Sequence, residues 1–84
     1  MDATRAFEAI KKIAQSNTDP ADVKAMRARA REVVDQFRAG KAARAGGTKA
    51  LSRNLAWPFA AGRLSIIETT ILREAQQHLA GEAQ

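Results

Sequence analysis

Cysteine and tyrosine are absent from this sequence, histidine and tryptophan occur once each, and two prolines and five glycines supply all of its backbone punctuation. Without cysteine there is neither a disulfide nor a thiolate metal site, and a small domain with no staple suits a reducing compartment. One histidine, no tyrosine and carboxylates scattered singly along the chain leave no nucleophile or acid beside a partner that would tune it. We therefore expect a protein that is not an enzyme. Long apolar runs are missing too: the longest uncharged stretch, Asn54 to Gly62, is far below the ~18 residues of a membrane span. Met1-Asp2-Ala3-Thr4-Arg5 at the start does not read as a secretory signal, so the expected location is the cytoplasm.

What is present is an 84-residue chain with 19 large apolar side chains (Met, Ile, Leu, Val, Phe, Trp) and a net charge of +5. That size fits one domain with a single modest core, whose net stability should be on the order of 4–12 kcal/mol. A core this small has few side chains to spare for the walls of a closed cleft, so no small-molecule substrate and no cofactor are expected. Homodimerisation would relieve the shortage and is kept as an open alternative.

Hydrophobic spacing divides the chain into four helices. Ala3, Phe7, Ile10 and Ala14 recur at three- and four-residue steps and predict a first helix over 3–16 with one buried stripe. Ser16-Asn17-Thr18-Asp19-Pro20 reads as a turn, with Asp19 as cap and Pro20 at the first position of a helix over 20–39. In that second helix Val23, Met26, Ala30, Val33, Val34 and Phe37 form a narrow seam, and Gly40 is placed to end it in the left-handed conformation. Residues 40–47, with Gly46 and Gly47, read as a mobile basic connector. Thr48 is expected to cap a third helix over 48–56 carrying Leu51 and Leu55, which Pro58 stops or kinks. Ser65 and Glu68 form a capping box for a fourth helix over 66–80, with Ile67, Ile71, Leu72, Ala75 and Leu79 inward and Gly81 closing it. The fold class is therefore all-α, a small four-helix orthogonal or bundle-like single domain with the second helix as its spine.

Charge is distributed unevenly. From Lys24 to Arg53 there are nine cations and only Glu32 and Asp35 as acids, a net +7, while the rest of the chain sums to −2. Lys24, Arg27, Arg31 and Arg38 project within about 60° of one another beside the apolar seam of the second helix. With Lys41, Arg44, Lys49 and Arg53 they form the candidate binding residues, either as ordinary solvated cations or as the contact surface for something acidic. Phosphate is the commonest acidic partner of clustered arginine.

Other motifs carry less. His78 projects close to Ile67, Ile71 and Ala75, which reads as a histidine at the core edge, and Glu74 alone cannot complete a metal site around it. Gly46-Gly47-Thr48-Lys49 resembles the end of a phosphate loop only superficially: Ala43 stands where that loop needs its first glycine and no strand precedes it, so a linker is expected. Trp57 and Phe59, flanking Pro58, are expected to plug the end of the core, with an exposed anchor for a partner as the alternative. Residues 60–73, Ala60-Ala61-Gly62-Arg63-Leu64-Ser65-Ile66-Ile67-Glu68-Thr69-Thr70-Ile71-Leu72-Arg73, resemble the helix-turn-helix family, and that resemblance implies a second helix reading DNA. The chain departs from the pattern at Ser65, where glycine is usual, and at Glu74, where an aliphatic side chain is normally buried. Its groove-facing positions would include Ile67, Glu68 and Leu72, and Pro58 and Gly62 leave the first helix about one turn long, so a plain capped amphipathic helix is expected.

Two functions follow as expectations. The first is a nucleic-acid-associated binding protein using phosphate contacts from the arginine-rich helix and connector. The second is a small protein-binding regulator or inhibitor docking on an acidic protein surface. Such a protein resembles phage- or plasmid-encoded antagonists of host enzymes or CRISPR effectors in being short, helical and poor in motifs.

Overall fold

The computed structural model describes residues 1–16 and 19–81. The first helix, α1 (Ala3–Gln15), opens on Asp2, whose carboxylate accepts the Arg5 N–H at 2.8 Å, a cap that the hydrophobic pattern alone does not reveal. Asn17 and Thr18, part of the expected turn, lie outside the described residues. Asp19 caps as expected, accepting the Ala21 N–H at 3.0 Å. The segment it caps is a 3₁₀ turn, Pro20–Asp22, and regular α-helix begins three residues later as α2 (Val23–Ala39). Met26, Ala30, Val34 and Phe37 form its buried seam, with Val23 and Val33 half-covered at the margins.

The stretch expected to be a mobile connector is instead a packed helical corner. Gly40 leaves α2 in extended geometry (φ −86°, ψ 165°), not in the left-handed conformation expected of it. Residues 41–45 then re-enter a helix, with Ala42 and Ala43 resting against the core, and Gly46 breaks it with a non-helical kink before α3. The two glycines make the corner by different means. Gly46 takes φ +91°, which L side chains avoid, and Gly47 lies so near the preceding turn that a Cβ there would sit 2.5 Å from the Ala42 carbonyl oxygen.

Because the corner delivers the chain already helical, Thr48 has helical dihedrals and makes no side-chain cap, contrary to expectation. The third helix, α3 (Thr48–Ala61), also runs through Pro58 rather than stopping at Ala56. Proline removes the N–H that would bond the Asn54 carbonyl, but Pro58 stands in the last turn with its ring buried, and its own carbonyl accepts the Gly62 N–H at 3.3 Å. Gly62, at φ +78°, closes the helix in the left-handed conformation. The fourth helix, α4 (Ile66–Gly81), starts where the Ser65 hydroxyl accepts the Glu68 N–H at 3.1 Å. The return bond of a full capping box is not formed among the described residues. Thr69 and Thr70 turn their hydroxyls back onto the carbonyls of Ser65 and Ile66, both at 2.9 Å, which satisfies the hydroxyls within the helix.

The result is an all-α, four-helix, bundle-like fold with no strand among the described residues. Helices α1 and α4 each pack against the other three, whereas α2 and α3 scarcely touch each other. Phe37, Ile10, Met26, Leu51, Leu55, Ile71, Leu72 and Val34 fill the centre and are essentially inaccessible within the single chain. This arrangement fixes the placement of every charged side chain considered below: the outer surfaces of α2 and α3 belong to different sides of the molecule.

Candidate functional site

Of the eight candidate binding residues, two have structural partners. The Arg27 guanidinium grips Glu74 of α4 with both of its outward N–H groups, Nε to Oε2 and Nη2 to Oε1, the latter at 2.6 Å. The hydrogen bond to Glu74, followed by the attraction of its charge, raises the Arg27 pKa further above its ordinary value, so this guanidinium stays charged. Arg38 is half-buried and donates from Nη2 to the Leu79 carbonyl at 2.8 Å and from Nη1 to the His78 carbonyl at 3.4 Å. Those oxygens belong to the last turns of α4, where helix carbonyls lack intrahelical donors and the dipole is negative, so Arg38 acts as a side-chain cap delivered from another helix.

Between these two contacts lies His78, 17% exposed at its side chain, with Nε2 3.0 Å from Oδ1 of Asp35. It is the core-edge histidine expected, but its carboxylate neighbour is Asp35, because Glu74 is engaged with Arg27. Among the described residues no three His, Cys, Asp or Glu side chains come together as a metal site would require. The α2–α4 side is therefore of mixed sign. Lys24, Arg27 and Arg31 line one shallow depression of about 440 Å³, and Arg31 also edges a second, of about 280 Å³, whose rim includes Glu74 and His78. Lys24 and Arg31 are the exposed cations of this side that carry no ion pair among the described residues.

The remaining four candidates, Lys41, Arg44, Lys49 and Arg53, are all exposed, and none is in an ion pair among the described residues. Lys41 and Arg44 project from the corner, and Lys49 and Arg53 from α3, four residues apart and therefore on one face. That face lies opposite Leu51, Leu55 and Pro58, the buried side of α3. The structure thus does not unite the eight residues. It separates Lys24 and Arg31, interleaved with carboxylates, from a corner-and-α3 group that no carboxylate of its own segment offsets.

Trp57 belongs to the surface and not, as expected, to the end of the core. Since α3 continues through Pro58, position 57 extends the Lys49, Arg53 series by one more turn, and its side chain stands 64% exposed on the same face. Phe59 turns the other way, packs on the core and receives Arg73 of α4 over its ring, with the guanidinium carbon 5.3 Å from the centroid. The sequence does carry a signal for this surface. Residues 36–67 contain six cations (Arg38, Lys41, Arg44, Lys49, Arg53 and Arg63) and no carboxylate, a finer division than the Lys24 to Arg53 interval exposes.

The geometry of α3 and α4 also bears on the helix-turn-helix resemblance. A 14-residue α3 does precede the turn, so the first helix is not short, but Leu72 is buried in the core and Ile67 and Glu68 are half-covered. Leu72 cannot present itself to a groove while α4 packs as it does, and Ile67 and Glu68 are apolar and acidic, which suits neither base edges nor phosphates. No family model, curated protein or solved structure matches the chain.

Proposed function

We propose that this protein is a non-enzymatic nucleic-acid-associated binding protein that holds phosphate groups with the corner-and-α3 cations Lys41, Arg44, Lys49 and Arg53, assisted by Lys24 and Arg31. The observation that supports this reading best is the one-signed character of the corner-and-α3 segment: four exposed cations without an ion pair among the described residues, in a stretch of chain that contains no carboxylate. A folded monomer gains nothing from such a grouping, because like charges four apart on a helix repel by a few tenths of a kcal/mol. A polyanion reverses the sign of that interaction and releases counterions on binding.

Arg27 and Arg38 leave the proposed contact set, since Arg27 is paired with Glu74 and Arg38 caps the C-terminal end of α4. Base readout from α4 is not part of the proposal either, because Leu72 is buried and Ile67 and Glu68 are not side chains that read bases or hold phosphates. The binding expected is therefore weakly selective for sequence and strongly dependent on salt. No helix among the described residues is long and apolar enough to cross a membrane, so a spanning segment does not compete for this surface.

Anisotropy titrations of labelled duplex DNA, single-stranded DNA and RNA at about 50 and 200 mM salt test the proposal. Expected is saturable binding at the lower concentration that weakens at least about tenfold at the higher. Undetectable binding to all three at the lower concentration overturns it. So does a stoichiometric protein partner that is retained from nuclease-treated lysate by the wild type and lost in a Lys49→Ala, Arg53→Ala variant.

A further inference from the structure

Trp57 is the large aromatic side chain that this fold leaves in solvent, and cations stand close to it along α3 and across from α1. Interface hot spots of tryptophan are ringed by apolar contacts that exclude water. Here the neighbours one turn further along α3 are Ala60 and Ala61, both exposed and too short to cover an indole, while the neighbour one turn back is Arg53. A depression of about 170 Å³ adjoins the ring, lined by Pro58, Ala61 and Leu64 and edged by Lys11 and Gln15 of α1 on one side and Arg63 and Glu68 beyond the end of α3 on the other. Lys11 is not wholly committed to that depression, since its ammonium also lies 5.8 Å from the Phe7 ring centroid.

An open aromatic face beside a row of cations is the combination that single-stranded nucleic acid requires. Bases stack on the ring without regard to sequence, and the phosphates that join them meet the flanking charges. Duplex DNA offers phosphates but no free base face, so it can use the cations and not the indole.

We infer that Trp57 is a stacking site for an unpaired base, with Arg53 and Lys49 on one flank and Lys11 and Arg63 on the other holding the adjoining phosphates of a single strand. The inference rests on the nucleic-acid reading above and narrows it to single-stranded segments. The Lys49, Arg53, Trp57 series follows one helix face, so a strand laid along α3 meets charge, charge and ring in order.

The test uses the full chain, with oligothymidylate and oligouridylate about a dozen nucleotides long and a duplex of equal length as probes. Trp57 is the chain's single tryptophan, so intrinsic fluorescence reports this site directly. Expected are quenching of Trp57 emission by either single strand, and a roughly ten- to hundredfold loss of single-strand affinity in Trp57→Ala. Duplex affinity should change less than about twofold, and Trp57→Phe, which keeps a ring, should restore most of the loss. Because Trp57 is exposed, Trp57→Ala should fold normally, which circular dichroism verifies. Single strands that bind wild type and Trp57→Ala equally overturn the inference while leaving the nucleic-acid proposal standing, whereas no binding of any probe at about 50 mM salt removes that proposal itself. Concentration-dependent self-association that is abolished by Trp57→Ala would assign the ring to a second copy of this chain and also overturn the inference.

Discussion

Arg38 of α2 reaches across to the C-terminal end of α4 and donates a hydrogen bond to the Leu79 carbonyl at 2.8 Å. One side chain thereby satisfies two of the carbonyls that α4 cannot satisfy itself, at His78 and Leu79, and ties α2 to α4 through residues 40 and 41 positions apart in sequence. A charged, half-buried donor in this role contributes more than a surface ion pair does. Arg38→Ala should lower stability by about 1–2 kcal/mol, as measured by urea denaturation. The melting temperature should fall by about 4–8 °C for each kcal/mol. Nucleic-acid affinity, measured well below the melting temperature, should be unchanged.

Arg27 and Glu74 form an exposed pair, and their predicted behaviour differs. Arg27→Ala and Glu74→Gln should each cost little stability, and the double variant should lose less than the two single losses added together. The more informative readout is binding. If Arg27 is engaged with Glu74 as the geometry shows, Arg27→Ala should leave the salt dependence of nucleic-acid affinity unaltered, and Glu74→Gln should increase the affinity slightly by freeing the guanidinium.

The corner at Gly46 and Gly47 separates two kinds of glycine requirement. Gly46→Ala keeps open space around its Cβ but forces a left-handed dihedral, costing about 1–2 kcal/mol. Gly47→Ala drives a methyl group to 2.5 Å from the Ala42 carbonyl oxygen, which the backbone must move to avoid. Its loss should be the larger, about 2–3 kcal/mol, in chemical denaturation. Equal losses, or none at Gly47, would show that the corner is not packed as described.

The periodic parts of the chain are legible from sequence. The inward faces of α1, α2 and α4 follow from spacing alone, and Asp19, Pro20 and Ser65 mark helix starts because local capping chemistry needs no distant partner. Two local rules mislead. Paired glycines suggest flexibility where they build a tight corner, and proline suggests a stop where it sits in a last helical turn with its ring buried. The second rule also hides Trp57, since ending the helix at Ala56 removes the register that carries the ring to the surface. The commitments of Arg27 and Arg38 are illegible for a different reason: their partners lie 40 or more residues away, and nothing near them in sequence distinguishes a tethered arginine from a free one.

Trp57 emission in the free protein should be that of a solvated indole, red-shifted and readily quenched by acrylamide. Because Arg53, Lys49, Lys11 and Arg63 surround it, iodide should quench more efficiently than caesium at matched ionic strength. Blue-shifted emission resistant to quenchers would place the ring in the core and contradict the helical continuation through Pro58.

The central claim is that the cations of the corner and α3 hold phosphates, and the most direct measurement is the dependence of affinity on salt in two proteins. For the wild type, log K against log salt should fall with a slope of about −3 to −5, near −0.9 for each phosphate contacted in a duplex and somewhat less in a single strand. In the variant with Lys41, Arg44, Lys49 and Arg53 all replaced by alanine, the slope should shrink toward about −1, with α2–α4 contacts intact and the fold unchanged. An unchanged slope in that variant, or a wild-type affinity indifferent to salt, would contradict the account.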